Sequence, residues 1–258
     1  AASAIRTGTA MPAAPLAEYS FTYDGVTRDV VRVGDDGPAV IVLHELFGVS
    51  ETCLELADFL ATDFQVHLPV LFGPPGRSGT VAAIGRALCV RRELTLLSAG
   101  RSSPIAGWLR ALARHAAAGV ASRVGVIGMC LTGGLVFPMV LDPCVGAAVA
   151  AQPSLPWRPG STTVAADELG DTAAAVEAAA ATGTPVLGLR FAGDRTCPES
   201  RFDRLQAVDS AQVGAFLRNP PGGDYPGTQH STLTNHVDHA PGARETVRAF
   251  LLEHLGAG

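Results

Sequence analysis

The chain has 258 residues, of which 47% are hydrophobic and 17% are charged, and its formal net charge is −5. These values are typical of a soluble globular protein of one domain, and they exclude a disordered or fibrous chain. No basic cluster is larger than the Arg91–Arg92 pair, which argues against nucleic acid and favours a small molecule as the partner.

The cysteine pattern indicates the redox compartment, and one apolar stretch is long enough to raise the question of a membrane span. Five cysteines are scattered along the chain and are never spaced as CxxC, which argues against a disulfide framework and a zinc ribbon. We therefore expect reduced thiols in a cytoplasmic protein that holds no metal. The uncharged stretch Val124–Leu141 is 18 residues long, but four glycines and Pro138 interrupt it. We interpret it as a buried strand, a turn and a buried helix, and expect no membrane partner.

Short apolar runs alternate with longer helix-compatible segments, which predicts an α/β fold with a mostly parallel central sheet and helices on both faces. Residues 1–18 are expected to form a loose tail and residues 19–258 the folded domain. The predicted strands are Tyr19–Tyr23, Arg28–Val33, Ala39–Leu43, Phe64–Pro69, Arg123–Ile127, Gly146–Ala151, Val186–Phe191 and Ala211–Phe216, the first two forming a hairpin around Asp24–Gly25. The predicted helices are Glu51–Ala61, Gly85–Leu97, Pro104–Ala118, Leu131–Leu141, Thr172–Ala181, Glu199–Ala207 and Ala243–Leu255.

The strongest local pattern runs from Arg123 to Gly134, where a β-branched strand leads into Gly-Met-Cys-Leu-Thr and then into an apolar segment. This pattern predicts a nucleophile elbow in which Cys130 takes the place of the usual serine. The residues two positions before and two positions after the nucleophile must be small, because strand and helix approach closely there. Gly128 meets this need, whereas Thr132 stands where glycine is usual. A helix N-terminus at Cys130 would favour the thiolate.

Two further patterns supply an acid and a base. An apolar strand ends in Gly-Asp at Asp194, which can orient a catalytic imidazole or can simply cap the helix that starts near Pro198. The order nucleophile, acid, histidine is the one found in α/β-hydrolases. Three histidines precede the last helix, and we take His230 as the base because it follows a turn at a strand-to-helix connection. His236 and His239 are the alternatives.

The buried strand Ala39–Leu43 leads into Glu45 and a turn that ends at Gly48. A loop in this position can supply one N–H group of an oxyanion hole, and the residue after the nucleophile can supply the other. The predicted hole therefore consists of the backbone N–H groups of Leu46 and Leu131. A glutamate at such a strand end is not expected to be a core residue.

Four segments in order resemble the dienelactone hydrolase family: Glu-Leu-Phe-Gly at 45–48, Gly-Met-Cys-Leu-Thr-Gly-Gly at 128–134, Gly-Asp at 193–194 with Pro198, and Tyr-Pro-Gly-x-x-His at 225–230. The resemblance implies a single-domain α/β-hydrolase fold and a catalytic triad of Cys130, His230 and Asp194. It also implies that Glu45 hydrogen-bonds the thiol at rest and yields when substrate binds.

The resemblance also bears on the substrate. Family members that hydrolyse dienelactone hold its carboxylate with arginines, one of them four residues after the catalytic histidine, where this chain has Thr234. Dienelactone itself is therefore not the expected substrate. The segments Phe72–Gly100, with four arginines, and Gln152–Asp171, with Trp157, are predicted to wall the pocket.

Two hypotheses follow. The first is a carboxylic ester or lactone hydrolase, similar to carboxymethylenebutenolidase, that acts on a small molecule through an acyl-thiol intermediate. The second is a non-hydrolytic relative, an isomerase, cyclase or ligand-binding protein, and Thr132 and Thr234 are the features that favour it. Neither hypothesis requires a cofactor.

Overall fold

A computed structural model describes residues 16–46, 48–71, 104–154, 183–209, 216–218 and 224–256. In these ranges the strands are β1 (Leu16–Tyr23), β2 (Val26–Val33), β3 (Ala39–Leu43), β4 (Gln65–Pro69), β5 (Val124–Met129), β6 (Val145–Ala151), β7 (Val186–Leu189) and β8 (Phe216–Arg218). The helices are α1 (Glu51–Leu60), α2 (Pro104–Val120), α3 (Val136–Val140), α4 (Glu199–Asp209) and α5 (Ala243–Leu255). Two 3-10 helices span Cys130–Leu135 and Val237–His239.

The strands form one sheet in the order β1-β2-β4-β3-β5-β6-β7-β8. The pairs β1/β2 and β2/β4 are antiparallel, and all the other pairs are parallel. The predicted mostly parallel sheet of an α/β protein is thus confirmed. Because β3, β5, β6 and β7 are neighbours with the same direction, their carboxyl ends meet at one edge, where such sheets bind ligands.

The predicted hairpin between the first two strands is confirmed. Asp24 and Gly25 have φ angles of 51° and 74°, and two successive left-handed residues match the twist of a two-residue hairpin. β1 begins at Leu16, so the last three residues of the predicted loose tail belong to the sheet. Their backbone pairs with the end of β2, where Leu16 lies opposite Val33.

Helices cover the sheet on both faces, as predicted. One apolar cluster packs α2, α3 and α4 against one face, with Trp108 and Phe202 among its largest buried side chains. A second cluster packs α1 and α5 against the other face, around Leu56 and Leu251. None of the helices in the described ranges is long and apolar enough to span a membrane.

The helix predicted over Leu131–Leu141 differs in its first half. Residues Cys130–Leu135 form a tighter 3-10 helix, and α-helical geometry begins only at Val136. The Thr132 hydroxyl bonds both the N–H and the C=O group of Met129, and two glycines follow Thr132. Both features disfavour a regular α-helix.

Several predictions fall on parts of the chain outside the described residues. They are the helices Gly85–Leu97 and Thr172–Ala181, the pocket wall Phe72–Gly100 and the pocket wall Gln152–Asp171 from residue 155 onward. The last predicted strand, Ala211–Phe216, overlaps β8 only at Phe216, and residues 211–215 lie outside the described ranges.

The packing of α5 on the sheet predicts a stability effect. Leu251 is fully buried against this face, whereas its neighbour Leu252 is only partly buried. Replacing Leu251 with Ala should lower the free energy of unfolding by about 2–5 kcal/mol, because it removes buried methyl groups and leaves a cavity. Denaturant unfolding measures the loss, and Leu252→Ala is the control with a smaller expected loss. Equal losses for the two variants would contradict this packing.

Candidate active site

Cys130 follows the carboxyl end of β5 in a strained backbone conformation. Its φ angle is 54°, in the left-handed region that residues other than glycine rarely adopt. A Cβ atom at Gly128 would lie 2.6 Å from both the Thr132 carbonyl oxygen and Val136 Cγ2, so only glycine fits there. This geometry is that of a nucleophile elbow, and it meets the predicted need for a small residue two positions before Cys130.

Thr132, the residue two positions after Cys130, is fully buried. Its hydroxyl lies 3.0 Å from the Leu43 carbonyl, 3.1 Å from the His44 carbonyl and 2.9 Å from the Met129 carbonyl. It also accepts a hydrogen bond from the Met129 N–H group at 3.1 Å. The threonine therefore links the end of β3 to the elbow, a contact that glycine could not make. Its one proton is donated to one of these carbonyls at a time.

The structure pairs His230 with Asp194. His230 Nδ1 donates to Asp194 Oδ2 at 2.6 Å. Asp194 Oδ1 accepts from the Thr196 hydroxyl at 2.7 Å and from the Thr196 N–H group at 2.8 Å. The Thr196 oxygen lies 2.7 Å from His230 Nδ1, so it accepts a share of the same Nδ1 proton that His230 donates to Asp194 Oδ2. Sequence reasoning missed Thr196, although its position two residues after the acid is a signal for an Asx-type turn.

The negative charge of the Asp194 carboxylate and the positive charge of the His230 imidazolium stabilise each other. Burial alone raises the pKa of Asp194, but hydrogen bonds from His230 and Thr196 hold it below its usual range. Burial alone lowers the pKa of His230, but Asp194 and the nearby Cys130 sulfur together raise it to about 10. His230 Nε2 is buried and has no partner at hydrogen-bond geometry among the described residues. Catalytic hydrogen bonds are often long or poorly aligned before substrate binds.

The other two histidines of this loop have different partners. His236 Nδ1 accepts from the Ser231 N–H group at 3.2 Å. His239 Nδ1 lies 3.5 Å from Gln229 Nε2. Of the three sequence candidates for the base, His230 is the one that the fold brings to Asp194.

The Cys130 sulfur has a neighbour that sequence reasoning missed. Its Sγ lies 3.4 Å from the Ser154 hydroxyl, and the Ser154 N–H group donates to the Cys130 carbonyl at 2.9 Å. Ser154 lies three residues beyond β6, the strand next to β5. The signal in the sequence is its place just after a buried parallel strand, where functional residues collect.

The structure places Glu45 at the same edge of the sheet, only 9% exposed. Its Oε1 accepts from Gln152 Nε2 at 2.9 Å, and its Oε2 accepts from the Thr234 hydroxyl at 3.0 Å and from Asn235 Nδ2 at 3.4 Å. Among the described residues, the Cys130 thiol is not one of its hydrogen-bond partners. The role of Glu45 at the resting thiol stays a prediction.

Gln152 connects this carboxylate to the histidine loop. It is fully buried and has a φ angle of 35°. Its Oε1 accepts from the Thr232 hydroxyl at 2.6 Å and from the Thr232 N–H group at 3.2 Å. The side chains of Gln152, Glu45, Thr232 and Thr234 thus form one buried polar network, which holds the loops after β3 and β6 against the segment that carries His230.

The predicted oxyanion-hole residues follow two neighbouring strands. β3 and β5 are paired in parallel with Leu43 opposite Gly128, and Leu46 and Leu131 each follow three residues later. The turn at Leu46 is closed by a hydrogen bond from the Gly48 N–H group to the Glu45 carbonyl at 3.0 Å. Equal spacing from paired residues brings both backbones to the same edge of the sheet, while their role as donors stays a prediction.

The His44 side chain links this turn to Leu71, two residues after the end of β4. Its Nδ1 donates to the Glu45 carbonyl at 2.8 Å, and its Nε2 accepts from the Leu71 N–H group at 3.0 Å. These partners require the neutral tautomer with the proton on Nδ1. Full burial agrees, because it lowers the pKa of His44 to about 4.

Burial disfavours the thiolate at the other described cysteines. Burial raises the pKa of Cys144 and of Cys197 to about 12, and it raises the pKa of Cys53 further. Cys89 lies outside the described residues. Within the described part of the chain, no three His, Cys, Asp or Glu side chains are grouped so that they could hold a metal ion.

Solved structures show the same fold. A Klebsiella pneumoniae protein provisionally described as a dienelactone hydrolase is 22% identical, with a TM-score of 0.62 over 93% of this chain and 99% of that one. A dienelactone hydrolase-like promiscuous phosphotriesterase from metagenomic libraries is 15% identical, with a TM-score of 0.63 over 94% and 99%. An esterase of Pyrococcus furiosus is 12% identical, with a TM-score of 0.60 over 96% of each chain. These likenesses identify the α/β-hydrolase fold.

The chain has no significant similarity to any curated protein sequence. Its residues 28–234, however, match the dienelactone hydrolase family. This range contains the elbow at Cys130, the Asp194–His230 pair and the turn at Glu45. Because the match covers most of the chain together with these residues, the chain belongs to the dienelactone hydrolase family.

Proposed function

We propose that the protein hydrolyses a small carboxylic ester or lactone through a thioester on Cys130. The observation that carries the proposal is the pairing of His230 with Asp194 at 2.6 Å beside a strained cysteine, in a member of a hydrolase family. A nucleophile, a base and a group that orients the base are the parts that this chemistry needs.

The proposed reaction has two halves. His230 Nε2 takes the thiol proton, and the Cys130 sulfur attacks the ester carbonyl. The backbone N–H groups of Leu46 and Leu131 hold the oxyanion. As the C–O bond breaks, His230 returns the proton to the leaving alcohol, which leaves a thioester. Water then attacks the thioester while His230 takes its proton. The C–S bond breaks, the carboxylic acid leaves, and His230 returns that proton to the Cys130 sulfur. Asp194 keeps the imidazole oriented throughout.

The surroundings of Thr234 support a substrate other than a dienelactone carboxylate. Thr234 is 2% exposed and donates its hydroxyl proton to Glu45. It therefore offers no cation and no free donor to a substrate carboxylate. We propose an ester or lactone without a carboxylate at this position, in place of carboxymethylenebutenolidase specificity.

The hydroxyl groups of both threonines that favour a non-hydrolytic relative have hydrogen-bond partners inside the protein. The Thr132 hydroxyl bonds backbone carbonyls, and the Thr234 hydroxyl bonds Glu45. Their contacts serve the supporting structure and leave the proposed triad unchanged. Turnover of a panel of activated esters and lactones tests the hydrolase against that alternative, since a non-hydrolytic relative would release no acid.

Removing the nucleophile tests the covalent step. Cys130→Ala should abolish ester turnover while the folded state persists, because the half-buried thiol contributes little packing. Release of p-nitrophenol from a short-chain p-nitrophenyl ester measures turnover. Cys144→Ala, a half-buried cysteine with a pKa raised to about 12, is the matched control and should keep full activity. Comparable turnover in Cys130→Ala and the wild type would refute the proposed nucleophile.

Replacing each loop histidine by Asn tests the base. His230→Asn should lower kcat/KM by about 10²-fold or more, the scale of losing a general base. His236→Asn and His239→Asn are the matched controls and should lose far less, because neither histidine is bonded to Asp194. An equal loss at His239 would show that another histidine of the loop serves as the base.

A further inference from the structure

We propose that Ser154 is a catalytic residue whose hydroxyl donates a hydrogen bond to the Cys130 thiolate. It would take the place at the sulfur that the family resemblance gives to Glu45. The inference rests on the proposed function only in that Cys130 is the nucleophile. Its test below uses no substrate, so that each of the two proposals can fail without the other.

The first support is direct contact at two points. The Ser154 hydroxyl oxygen lies 3.4 Å from Cys130 Sγ, a normal separation for a hydrogen bond to sulfur. The Ser154 N–H group donates to the Cys130 carbonyl at 2.9 Å. A side-chain and a backbone contact between the same two residues fix the hydroxyl in reach of the sulfur.

The second support is the close packing of the preceding residue on the elbow. A Cβ atom at Gly133 would lie 2.8 Å from Pro153 Cα and 3.0 Å from Pro153 Cβ. Only glycine at 133 lets Pro153 approach this closely. On the other side, the guanidinium of the buried Arg201 donates to the Pro153 carbonyl. Pro153 is thus held between the elbow and the start of α4.

The third support is the strain at Gln152. A buried residue other than glycine with a φ of 35° persists only where its surroundings over-determine it, and such residues cluster at functional sites. The Gln152 N–H group donates to the Leu189 carbonyl at 2.6 Å, and its side chain bonds Glu45 and Thr232. These bonds set the direction in which the chain leaves β6, and that direction brings Ser154 to Cys130.

The Glu45 carboxylate has hydrogen-bond partners other than the Cys130 thiol. Both of its carboxylate oxygens accept hydrogen bonds, Oε1 from Gln152 and Oε2 from Thr234 and Asn235. To reach the thiol, the carboxylate would have to leave two buried donors unpaired, which is costly. Ser154 already touches the sulfur and has a proton to donate. A thiolate accepts such a proton, so the hydroxyl favours the ionised nucleophile beside the His230 imidazolium.

Alkylation of the free enzyme tests this inference. The rate of iodoacetamide labelling at Cys130 is measured against pH, with mass spectrometry separating its peptide from those of the other cysteines. Ser154→Ala should move the midpoint of the profile to higher pH by about one unit and slow labelling at neutral pH about tenfold, the scale of one hydrogen bond to a charged group. The plateau at high pH should change little, because the thiolate then forms without help.

Two further variants separate the hydroxyl from general damage. Ser154→Thr keeps a hydroxyl and should restore a profile close to that of the wild type. Ser200→Ala removes an exposed serine of α4 and should leave the profile unchanged. If Ser154 serves only the local fold, Ser154→Ala would lower the plateau as well as shift the profile, and Ser154→Thr would not restore it.

An unchanged profile in Ser154→Ala would overturn the inference, as would faster labelling at neutral pH. If Glu45 restrained the thiol instead, Glu45→Gln would raise the labelling rate while Ser154→Ala left it unchanged. Ester turnover by the wild type is scored separately. A shift in Ser154→Ala without any turnover would refute only the proposed hydrolysis, and turnover without the shift would refute only the role of Ser154.

Discussion

The site depends on one steric constraint: the chain around Cys130 passes extremely close to its neighbours on two sides. A side chain at Gly128 would collide with Thr132 and Val136, and a side chain at Gly133 would collide with Pro153. The first approach allows the sharp turn from β5 into the 3-10 helix and leaves Cys130 in a left-handed conformation. The second brings the chain after β6 to the sulfur. Two glycines therefore position both Cys130, the proposed nucleophile, and the neighbouring Ser154 hydroxyl.

A second constraint is the burial of a charge. Glu45 is nearly buried, and a buried carboxylate is tolerated only where its oxygens accept hydrogen bonds. The donors come from Gln152, after β6, and from Thr234, four residues beyond His230. Satisfying this one carboxylate thus ties together three loops that are far apart in the sequence, and one of them carries His230, the proposed base. Such a network is costly when broken, so it holds the loops in a single arrangement.

Hydroxyl groups do much of the positioning around the proposed triad. Thr132 joins the end of β3 to the elbow, and Thr196 fixes the Asp194 carboxylate and contacts the imidazole. Thr132 departs from the usual nucleophile-elbow pattern, and Thr234 departs from the pattern of family members that hydrolyse dienelactone. Both have buried hydroxyls with partners inside the protein. The departures therefore alter how the site is supported. They do not remove any group that the proposed chemistry uses.

The sequence alone predicted the α/β class, the mostly parallel sheet, the hairpin at Asp24–Gly25, the elbow at Cys130 and the three candidate histidines. These features depend on local patterns: apolar periodicity, a glycine two residues before a cysteine, and polar residues after buried strands. The sequence ranked His230 above His236 and His239 as the partner of Asp194. Only the fold shows the hydrogen bond between the two side chains.

Only the tertiary structure decided the partners of Glu45 and the surroundings of the sulfur. The contacts of Glu45 with Thr234 and of Gln152 with Thr232 join residues 189 and 80 positions apart. No local pattern encodes such contacts, because they arise where parallel strands end side by side. The 3-10 geometry after Cys130 was likewise missed, since the Thr132 hydroxyl bonds the strand end as well as its own turn. The sequence determined which groups are present at this edge of the sheet, and the packing of loops against it decided which of them touch.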